Sequence, residues 1–225
     1  MFQVKICGIT RVEDALAVGQ AGGEAIGLNF AAHSPRCVGL EQAKAILTAV
    51  GSSVLKVGVF VNASPAEIAR TADMLRLDMV QLHGDEPPDY LPRVAPLPVI
   101  KAFRIRNQTE PLKQVGDYLS ACKRTGYLPS LVLLDAFSPD SYGGTGQQID
   151  WRLASRYPLE PWHPPLVLAG GLKPDNVAQA IFALRTTAVD VASGVESSPG
   201  KKDPALIARF IAAAKGAFAQ LRGTT

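Results

Sequence analysis

The feature that most constrains the fold of this chain is a strand-then-helix pattern that recurs eight times along 225 residues. Each unit opens with a short run of β-branched and aliphatic residues, and an amphipathic stretch follows it. The predicted strands are Gln3–Cys7, Glu24–Asn29, Leu55–Val61, Met79–Leu82, Val99–Phe103, Leu131–Leu134, Leu166–Ala169 and Ala188–Val191. Their starts are spaced by roughly 20 to 35 residues, which is the length of a strand, a helix and two loops.

The stretches between the strands carry apolar residues at helical spacing. The clearest predicted helices are Arg11–Ala21, Leu40–Val50, Ala66–Leu75, Pro111–Thr125, Asn176–Leu184 and Pro204–Leu221. The fourth helix, around Pro87–Leu91, and the sixth, around Asp150–Tyr157, have the weakest patterns. Eight units without a long linker predict an α/β fold, a single closed (β/α)₈ TIM barrel over residues 1–225. A doubly wound open sheet is the alternative.

Composition narrows the class of protein. The chain is 47% hydrophobic and 19% charged, which is ordinary for a globular protein. Its net charge of +3 comes from scattered basic residues, so we expect no nucleic-acid partner. No apolar run approaches the ~20 residues that span a bilayer, and no charged-then-apolar leader opens the chain, so we expect a cytoplasmic protein without a membrane partner. Cys7, Cys37 and Cys122 have neither disulfide nor metal-ligand spacing, so no metal is expected.

The predicted fold indicates where a site would lie. In such barrels, active sites form at the C-terminal ends of the strands, on the loops that lead into the helices. The residues at these positions are Cys7, Asn29, Asn62, His83, Asp135, Gly170, Gly171, Ser193 and Gly194. One polar residue at a strand end is weak evidence, because strands must end somewhere, but a whole ring of them indicates a functional site.

Three glycine-containing turns follow the last three predicted strands. They contribute Gly144, Thr145 and Gly146 after strand six, Gly170 and Gly171 after strand seven, and Ser193 and Gly194 after strand eight. Glycine lets backbone N–H groups approach and converge on an anion, and these loops are the usual phosphate site of the fold. Each turn alone could be only a tight connection. Together they predict a phosphate site.

Two strand ends carry candidate acid–base groups. Asp135 follows the apolar run Leu131–Leu134, and a carboxyl group against apolar neighbours tends to keep its proton, which suits a general acid. An Asp in this place can also be a helix cap or a turn former. Cys7 ends the first strand, where a thiol is either a base or nucleophile, or a small buried hydrophobic residue.

Two further residues could contact a ligand. Arg36 follows Pro35 in the loop after strand two, where its guanidinium could form a bidentate contact with a carboxylate or could be solvated. His83 could carry a proton, but a neutral, hydrogen-bonded lining residue is the preferred interpretation.

Taken in order, the motifs resemble those of the phosphoribosylanthranilate isomerase family. The first half carries Val4-Lys5-Ile6-Cys7-Gly8-Ile9, Ser34-Pro35-Arg36, Val57-Gly58-Val59-Phe60-Val61-Asn62 and Gln81-Leu82-His83-Gly84. The second half carries Leu134-Asp135-Ala136, Gly143-Gly144-Thr145-Gly146, Leu168-Ala169-Gly170-Gly171-Leu172 and Ser193-Gly194-Val195-Glu196. The resemblance runs from Val4 to about Phe210. Cys37 and Ala192 depart from the family pattern, as does the small, polar stretch 29–33.

The resemblance implies an Amadori rearrangement of N-(5-phosphoribosyl)anthranilate in tryptophan biosynthesis. It implies Cys7 as the general base, Asp135 as the general acid and Arg36 as the partner of the anthranilate carboxylate. His83 and Asp190 are expected to contact the substrate, a small phosphosugar. No metal or organic cofactor is expected, because the substrate's own amine is the electron sink. We expect a monomer or a weak homodimer.

Three other functions stay open at this level. Indole-glycerol-phosphate synthase has a related barrel, but it needs a catalytic Lys and Glu at strand ends. The histidine-pathway isomerase performs the same rearrangement with a pair of aspartates, and a non-catalytic phosphate-ligand binder would need no acid–base pair at all. No Lys or Arg directly beside Cys7 in sequence would lower the pKa of its thiol, so a neighbour in space is required.

Overall fold

A closed barrel of eight parallel strands forms the centre of the molecule. The structure is a computed structural model that describes residues 1–105, 112–136 and 151–223. The barrel strands are β1 (Val4–Cys7), β2 (Ala25–Asn29), β3 (Leu55–Phe60), β4 (Met79–Leu82), β5 (Val99–Ile105), β6 (Leu131–Ala136), β7 (Leu166–Leu168) and β8 (Ala188–Val191). Each pairs with its neighbour in sequence, and β8 closes the ring against β1. The predicted barrel is confirmed, and the open sheet is wrong.

Helices follow the strands on the outside of the barrel. They are α1 (Val12–Gln20), α2 (Leu40–Val50), α3 (Pro65–Leu75), α4 (Leu91–Val94), α5 (Lys113–Thr125), α6 (Trp151–Ala154), α7 (Val177–Leu184) and α8 (Pro204–Gly223). The two units with the weakest patterns have the shortest helices, four residues each. A 3₁₀ turn at Pro88–Tyr90 precedes α4, because three prolines nearby limit regular helix there. In the described part of the chain, no helix has the length and apolar character to cross a membrane.

Strand alternation divides the core into two layers. One cluster contains strand residues with no helical partner, such as Ala25, Ile100 and Leu133, and it fills the barrel interior. The other contains the intervening strand residues together with helix residues, such as Ile26 and Ile211, and it lies between the barrel and the helices. Because successive side chains alternate between faces, the position of a residue in its strand decides which layer it enters.

A short hairpin that the sequence pattern did not predict follows β8. A 3₁₀ turn at Ser193–Val195 leads into β9 (Glu196–Ser198), which pairs antiparallel with β10 (Lys201–Lys202). The hairpin turns at Gly200, whose φ of +79° favours glycine. It brings Glu196 and Lys202 back over the C-terminal end of the barrel.

Candidate active site

One cavity of about 720 Å³ opens at the C-terminal end of the barrel. It is lined by eleven of the predicted site residues, namely Cys7, Asn29, Arg36, Asn62, His83, Asp135, Asp190, Gly170, Gly171, Ser193 and Gly194. The other three, Gly144, Thr145 and Gly146, lie outside the described residues. A volume of this size suits a small phosphosugar.

Strand alternation explains why these side chains converge. Cys7 follows Ile6, Asp135 follows Leu134, and Asp190 follows Val189, and each of these three preceding residues packs in the outer layer. The site residues therefore point into the barrel. Each comes at or near the end of its strand, where the interior opens into the cavity.

Cys7 lies beside a buried lysine. Lys5 is two residues earlier on β1, fully buried, and its Nζ lies 2.8 Å from Oδ1 of Asp190 on β8. A Cβ built on Gly27 would lie 2.7 Å from Cys7 Sγ and 3.2 Å from Lys5 Cε, so both side chains occupy the space that this glycine leaves on β2. The expected neighbour in space is therefore in the same strand. Lys5 was not predicted from sequence, although the two-residue period of a strand places it on the same face as Cys7.

Burial and the charged groups around Cys7 have opposing effects on the pKa of its thiol. Burial raises the pKa of the Cys7 thiol most strongly, Lys5 and Lys202 lower it, and Asp190 raises it further. The balance is a raised pKa, so the resting thiol is protonated at neutral pH. The pKa of Lys5 is also raised: burial lowers it, but Asp190 and Cys7 more than offset that effect. The lysine therefore remains an ammonium ion.

Asp135 faces His83 across the cavity wall. The Oδ2 atom of Asp135 lies 3.3 Å from His83 Nε2, and Oδ1 accepts a hydrogen bond of 2.8 Å from the backbone N–H of Ala136. On the other side of the ring, the Gln81 amide lies 2.8 Å from His83 Nδ1. If that amide donates, Nδ1 accepts and the ring proton is on Nε2, which has no hydrogen-bond partner among the described residues. The interpretation of His83 as a neutral, hydrogen-bonded lining residue stays a prediction.

A buried ion pair fixes the loop that follows β4, just after His83. Lys101 Nζ lies 2.7 Å from Glu86 Oε2 and donates to the carbonyl oxygen of Gly84 at 2.8 Å. Glu86 Oε1 accepts 2.8 Å from the backbone N–H of Asn62, which joins this loop to the one after β3. Burial lowers the pKa of Lys101, although Glu86 opposes that effect. The contacts hold two neighbouring loops of the cavity in place.

Arg36 is held by a carboxylate that the sequence analysis did not identify. Its Nε and Nη2 donate to the two carboxylate oxygens of Glu196 at 2.8 and 2.7 Å, and the side chain is almost entirely buried. Lys202 Nζ donates to Glu196 at 2.8 Å and to the Ala192 carbonyl oxygen at 2.9 Å. Burial raises the pKa of Glu196, but Arg36 and Lys202 reverse this and hold it below its usual range. The solvated alternative for Arg36 is therefore wrong.

Two rings form part of the cavity wall near Arg36. Phe30 and Phe60 stack with their centroids 5.2 Å apart and their planes 22° apart. Phe60 ends β3, and Phe30 follows β2 directly. Both residues line the same cavity as Arg36 and add apolar surface to its wall.

The loops after β7 and β8 approach each other too closely for side chains. A Cβ on Gly194 would lie 1.8 Å from the carbonyl oxygen of Leu172, and one on Gly170 would lie 2.6 Å from the backbone nitrogen of Ala136. Gly170 and Gly171 have φ values of +83° and +68°, which other residues adopt at a cost. The glycines therefore have a packing reason as well as the predicted role at a phosphate.

No cluster of His, Cys, Asp or Glu side chains with the geometry of a metal site occurs among the described residues. The groups that line the cavity include the Cys7 thiol, the carboxyl groups of Asp135 and Asp190, the His83 imidazole and the Arg36 guanidinium. These are groups for proton transfer and for binding a carboxylate, and two glycine-containing loops adjoin them.

Comparison with known proteins agrees with this geometry. The family model for N-(5'-phosphoribosyl)anthranilate (PRA) isomerase matches residues 4–213. The chain belongs to this family. It is 46% identical over 216 residues to N-(5'-phosphoribosyl)anthranilate isomerase of Geobacter sulfurreducens, with 96% of this chain and all of that protein covered. Family membership makes the chain an isomerase and confirms the resemblance on which the site residues were predicted.

Solved structures of relatives have the same fold. The phosphoribosyl anthranilate isomerase of Thermotoga maritima is 39% identical, with a TM-score of 0.83 over 96% of this chain and 100% of that one. A phosphoribosyl anthranilate isomerase in complex with reduced 1-(o-carboxyphenylamino)-1-deoxyribulose 5-phosphate is also 39% identical, with a TM-score of 0.80 and the same coverage.

Proposed function

We propose that this chain converts N-(5'-phosphoribosyl)anthranilate to 1-(2-carboxyphenylamino)-1-deoxyribulose 5-phosphate, a step of tryptophan biosynthesis. The observation that carries the proposal is the convergence of Cys7 and Asp135 on one cavity from the ends of β1 and β6. A thiol and a carboxyl group at one site supply the base and the acid that an aldose–ketose rearrangement requires.

The acid acts first. Asp135, as a carboxylic acid, donates its proton to the ring oxygen of the ribose, and the bond between that oxygen and C1′ breaks. The electron pair of the substrate nitrogen forms the new C1′–N double bond, which leaves a protonated Schiff base. The hydrogen bond from the Ala136 N–H stabilises the carboxylate that Asp135 becomes.

The base acts on the Schiff base. The C2′ proton is now acidic, because the electron pair of its C–H bond can move toward the positive nitrogen. Cys7, as a thiolate, takes this proton, and the resulting enolamine tautomerises to the ketone. The nitrogen of the substrate serves as the electron sink, so the reaction needs no metal or organic cofactor.

Binding is divided between the two ends of the substrate. We assign the phosphate to backbone N–H groups of the loops that carry Gly170, Gly171, Ser193 and Gly194, together with Gly144, Thr145 and Gly146. The anthranilate carboxylate is assigned to Arg36, which lines the same cavity as the stacked phenylalanines. His83 and Asp190, which line the same cavity, are assigned to the phosphosugar between these ends.

The test is turnover by the purified protein. N-(5'-phosphoribosyl)anthranilate should be consumed with saturation kinetics, and its consumption is monitored through the loss of anthranilate fluorescence. The larger substrate of the histidine-pathway isomerase is the comparison. We expect no conversion of it, because that enzyme uses a pair of aspartates where this chain has Cys7 and Asp135. Binding of the phosphoribosyl compound without turnover would refute the proposed isomerase activity and favour a binding protein on a barrel scaffold.

A further inference from the structure

Lys5 carries a buried charge and has no role in the proposed reaction. Its side chain is fully buried inside the barrel, where a lysine is rarely found without a partner. It is not among the residues that line the cavity, but its ammonium group contacts Asp190, which is one of them.

The barrel is built so that Lys5 meets the Asp190 carboxylate and the Cys7 thiol. In the strand register, Lys5 stands opposite Asp190 on β8, and their side chains are 2.8 Å apart. The missing side chain of Gly27, opposite Cys7 on β2, leaves room in which the Lys5 methylenes and the Cys7 sulfur lie side by side. Sequence alternation places both on the interior face.

Four charged groups of the described residues act on Cys7. Lys5 belongs to β1 itself, Asp190 comes from β8, Lys202 from the hairpin, and Arg36 from the loop after β2. Arg36 and Lys202 are both bound to the Glu196 carboxylate, which offsets one of their two positive charges. Lys5 and Asp190 are bound to each other, and both are in the interior beside the thiol.

We propose that Lys5 is the positioning residue that stabilises the thiolate form of Cys7 when the thiol loses its proton, and that Asp190 limits how much of the ammonium charge the sulfur receives. The ammonium group stabilises the thiolate without giving up its own proton, and the proton of the thiol leaves to water through the cavity. The opposing effects on the Cys7 thiol agree with this: Lys5 lowers its pKa and Asp190 raises it. The role of Cys7 as the base rests on the proposed function, but its coupling to Lys5 does not.

The coupling is measured on the thiol itself. Iodoacetamide reacts with thiolates, so the rate of Cys7 alkylation between pH 6 and 11, resolved by peptide mass spectrometry, reports the ionisation of Cys7. Exposed Cys37 in the same chain is the internal standard for the reagent. Lys5→Met should move the Cys7 midpoint to higher pH by roughly one to three units, which is the usual effect of losing an opposite charge at close range. Lys5→Arg keeps the charge and should restore part of the shift.

Asp190→Asn should shift the midpoint of Cys7 alkylation in the opposite direction. With the carboxylate gone, the thiolate is the anion left beside the ammonium group, so the Cys7 midpoint should move to lower pH. Loss of folding moves every cysteine toward ordinary reactivity and cannot produce opposite shifts in two variants. Lys44→Met, at an exposed lysine on α2, is the matched control and should leave the Cys7 midpoint unchanged.

Activity adds a second readout. The acidic limb of kcat/KM against pH reports the free enzyme's base, so it should move with the alkylation midpoint in Lys5→Met and Asp190→Asn. An unchanged Cys7 midpoint in folded Lys5→Met, or an upward shift in Asp190→Asn, would overturn the proposal. A midpoint that shifts as expected in a protein without isomerase activity would refute the proposed function and support the coupling.

Discussion

At the scale of single residues, Arg36 separates recognition from chemistry. Its planar guanidinium can hold a carboxylate through two parallel charge-assisted bonds, and the structure already has one such bidentate pair, with Glu196. The glutamate fixes the orientation of the guanidinium before any substrate arrives. Because the anthranilate carboxylate takes no part in proton transfer, its contact with Arg36 should be similar in the ground state and the transition state.

Arg36→Met should therefore raise KM and change kcat little. Charge-assisted bonds contribute about 1.5–3 kcal/mol, which corresponds to roughly a ten- to hundredfold increase in KM. Steady-state kinetics with N-(5'-phosphoribosyl)anthranilate and with an analogue that lacks the carboxylate test this. Wild type should prefer the natural substrate, and the variant should barely distinguish the two. A loss of kcat at unchanged KM would place Arg36 in the chemical step instead.

At the scale of elements, the loops after β7 and β8 pack directly against each other. They meet where Gly194 faces the carbonyl oxygen of Leu172, with no room for a Cβ between them. Both loops carry residues assigned to the phosphate, so a change in their spacing should reach substrate binding as well as stability.

Gly194→Ala should lower the free energy of unfolding by roughly 1–3 kcal/mol, the usual cost of overpacking, and should raise KM. The matched control is Gly216→Ala in α8, where a Cβ would meet nothing within 4 Å. In a helix interior that change is favourable by up to about 1 kcal/mol. Urea unfolding and steady-state kinetics of both variants provide the comparison. Equal stability of the two variants would contradict the close approach of the loops.

At the scale of the whole molecule, several buried groups keep their protons at higher pH in the folded state than in the unfolded state. Burial raises the pKa of Cys122 to about 11 and raises those of Tyr118 and Tyr157 above their ordinary values. The pKa values of Cys7 and Lys5 are raised as well.

A raised pKa means that the folded state binds more protons, so its contribution to stability is complete below the unfolded pKa and is lost as pH rises through the folded pKa. The unfolded cysteines ionise near 9.0, and the tyrosines and Lys5 follow near 10.0 and 10.5. Burial lowers the pKa values of Lys101 and Lys202, which opposes this loss, but five groups with raised pKa values outweigh these two. The midpoint of urea unfolding should therefore decline above about pH 9 and continue to decline to pH 11. Cys122→Ala should reduce the decline, and a flat or rising midpoint across this range would contradict it.

Local patterns predicted much of this molecule and missed what depends on distant contacts. The strands, the barrel and the ring around the cavity follow from alternation and spacing, so Cys7 and Asp135 could be placed from sequence. Lys5 was within reach of the same alternation and was missed because only adjacent residues were considered. Glu196 could not be paired with Arg36 from sequence, because 160 residues separate them and the hairpin that carries Glu196 has little strand pattern.

The measurement that tests the central claim most directly is the kcat of Cys7→Ala and Asp135→Asn for N-(5'-phosphoribosyl)anthranilate. Turnover is monitored through the loss of anthranilate fluorescence. General acids and bases contribute ~10²–10⁴-fold, so each variant should lose at least about a hundredfold in kcat while unfolding at a urea concentration close to that of wild type. Cys7→Ser should also be poor, because an alcohol hardly ionises at neutral pH. If Cys7→Ala instead turns over within a few-fold of wild type, the thiol only fills space and the acid–base account is wrong.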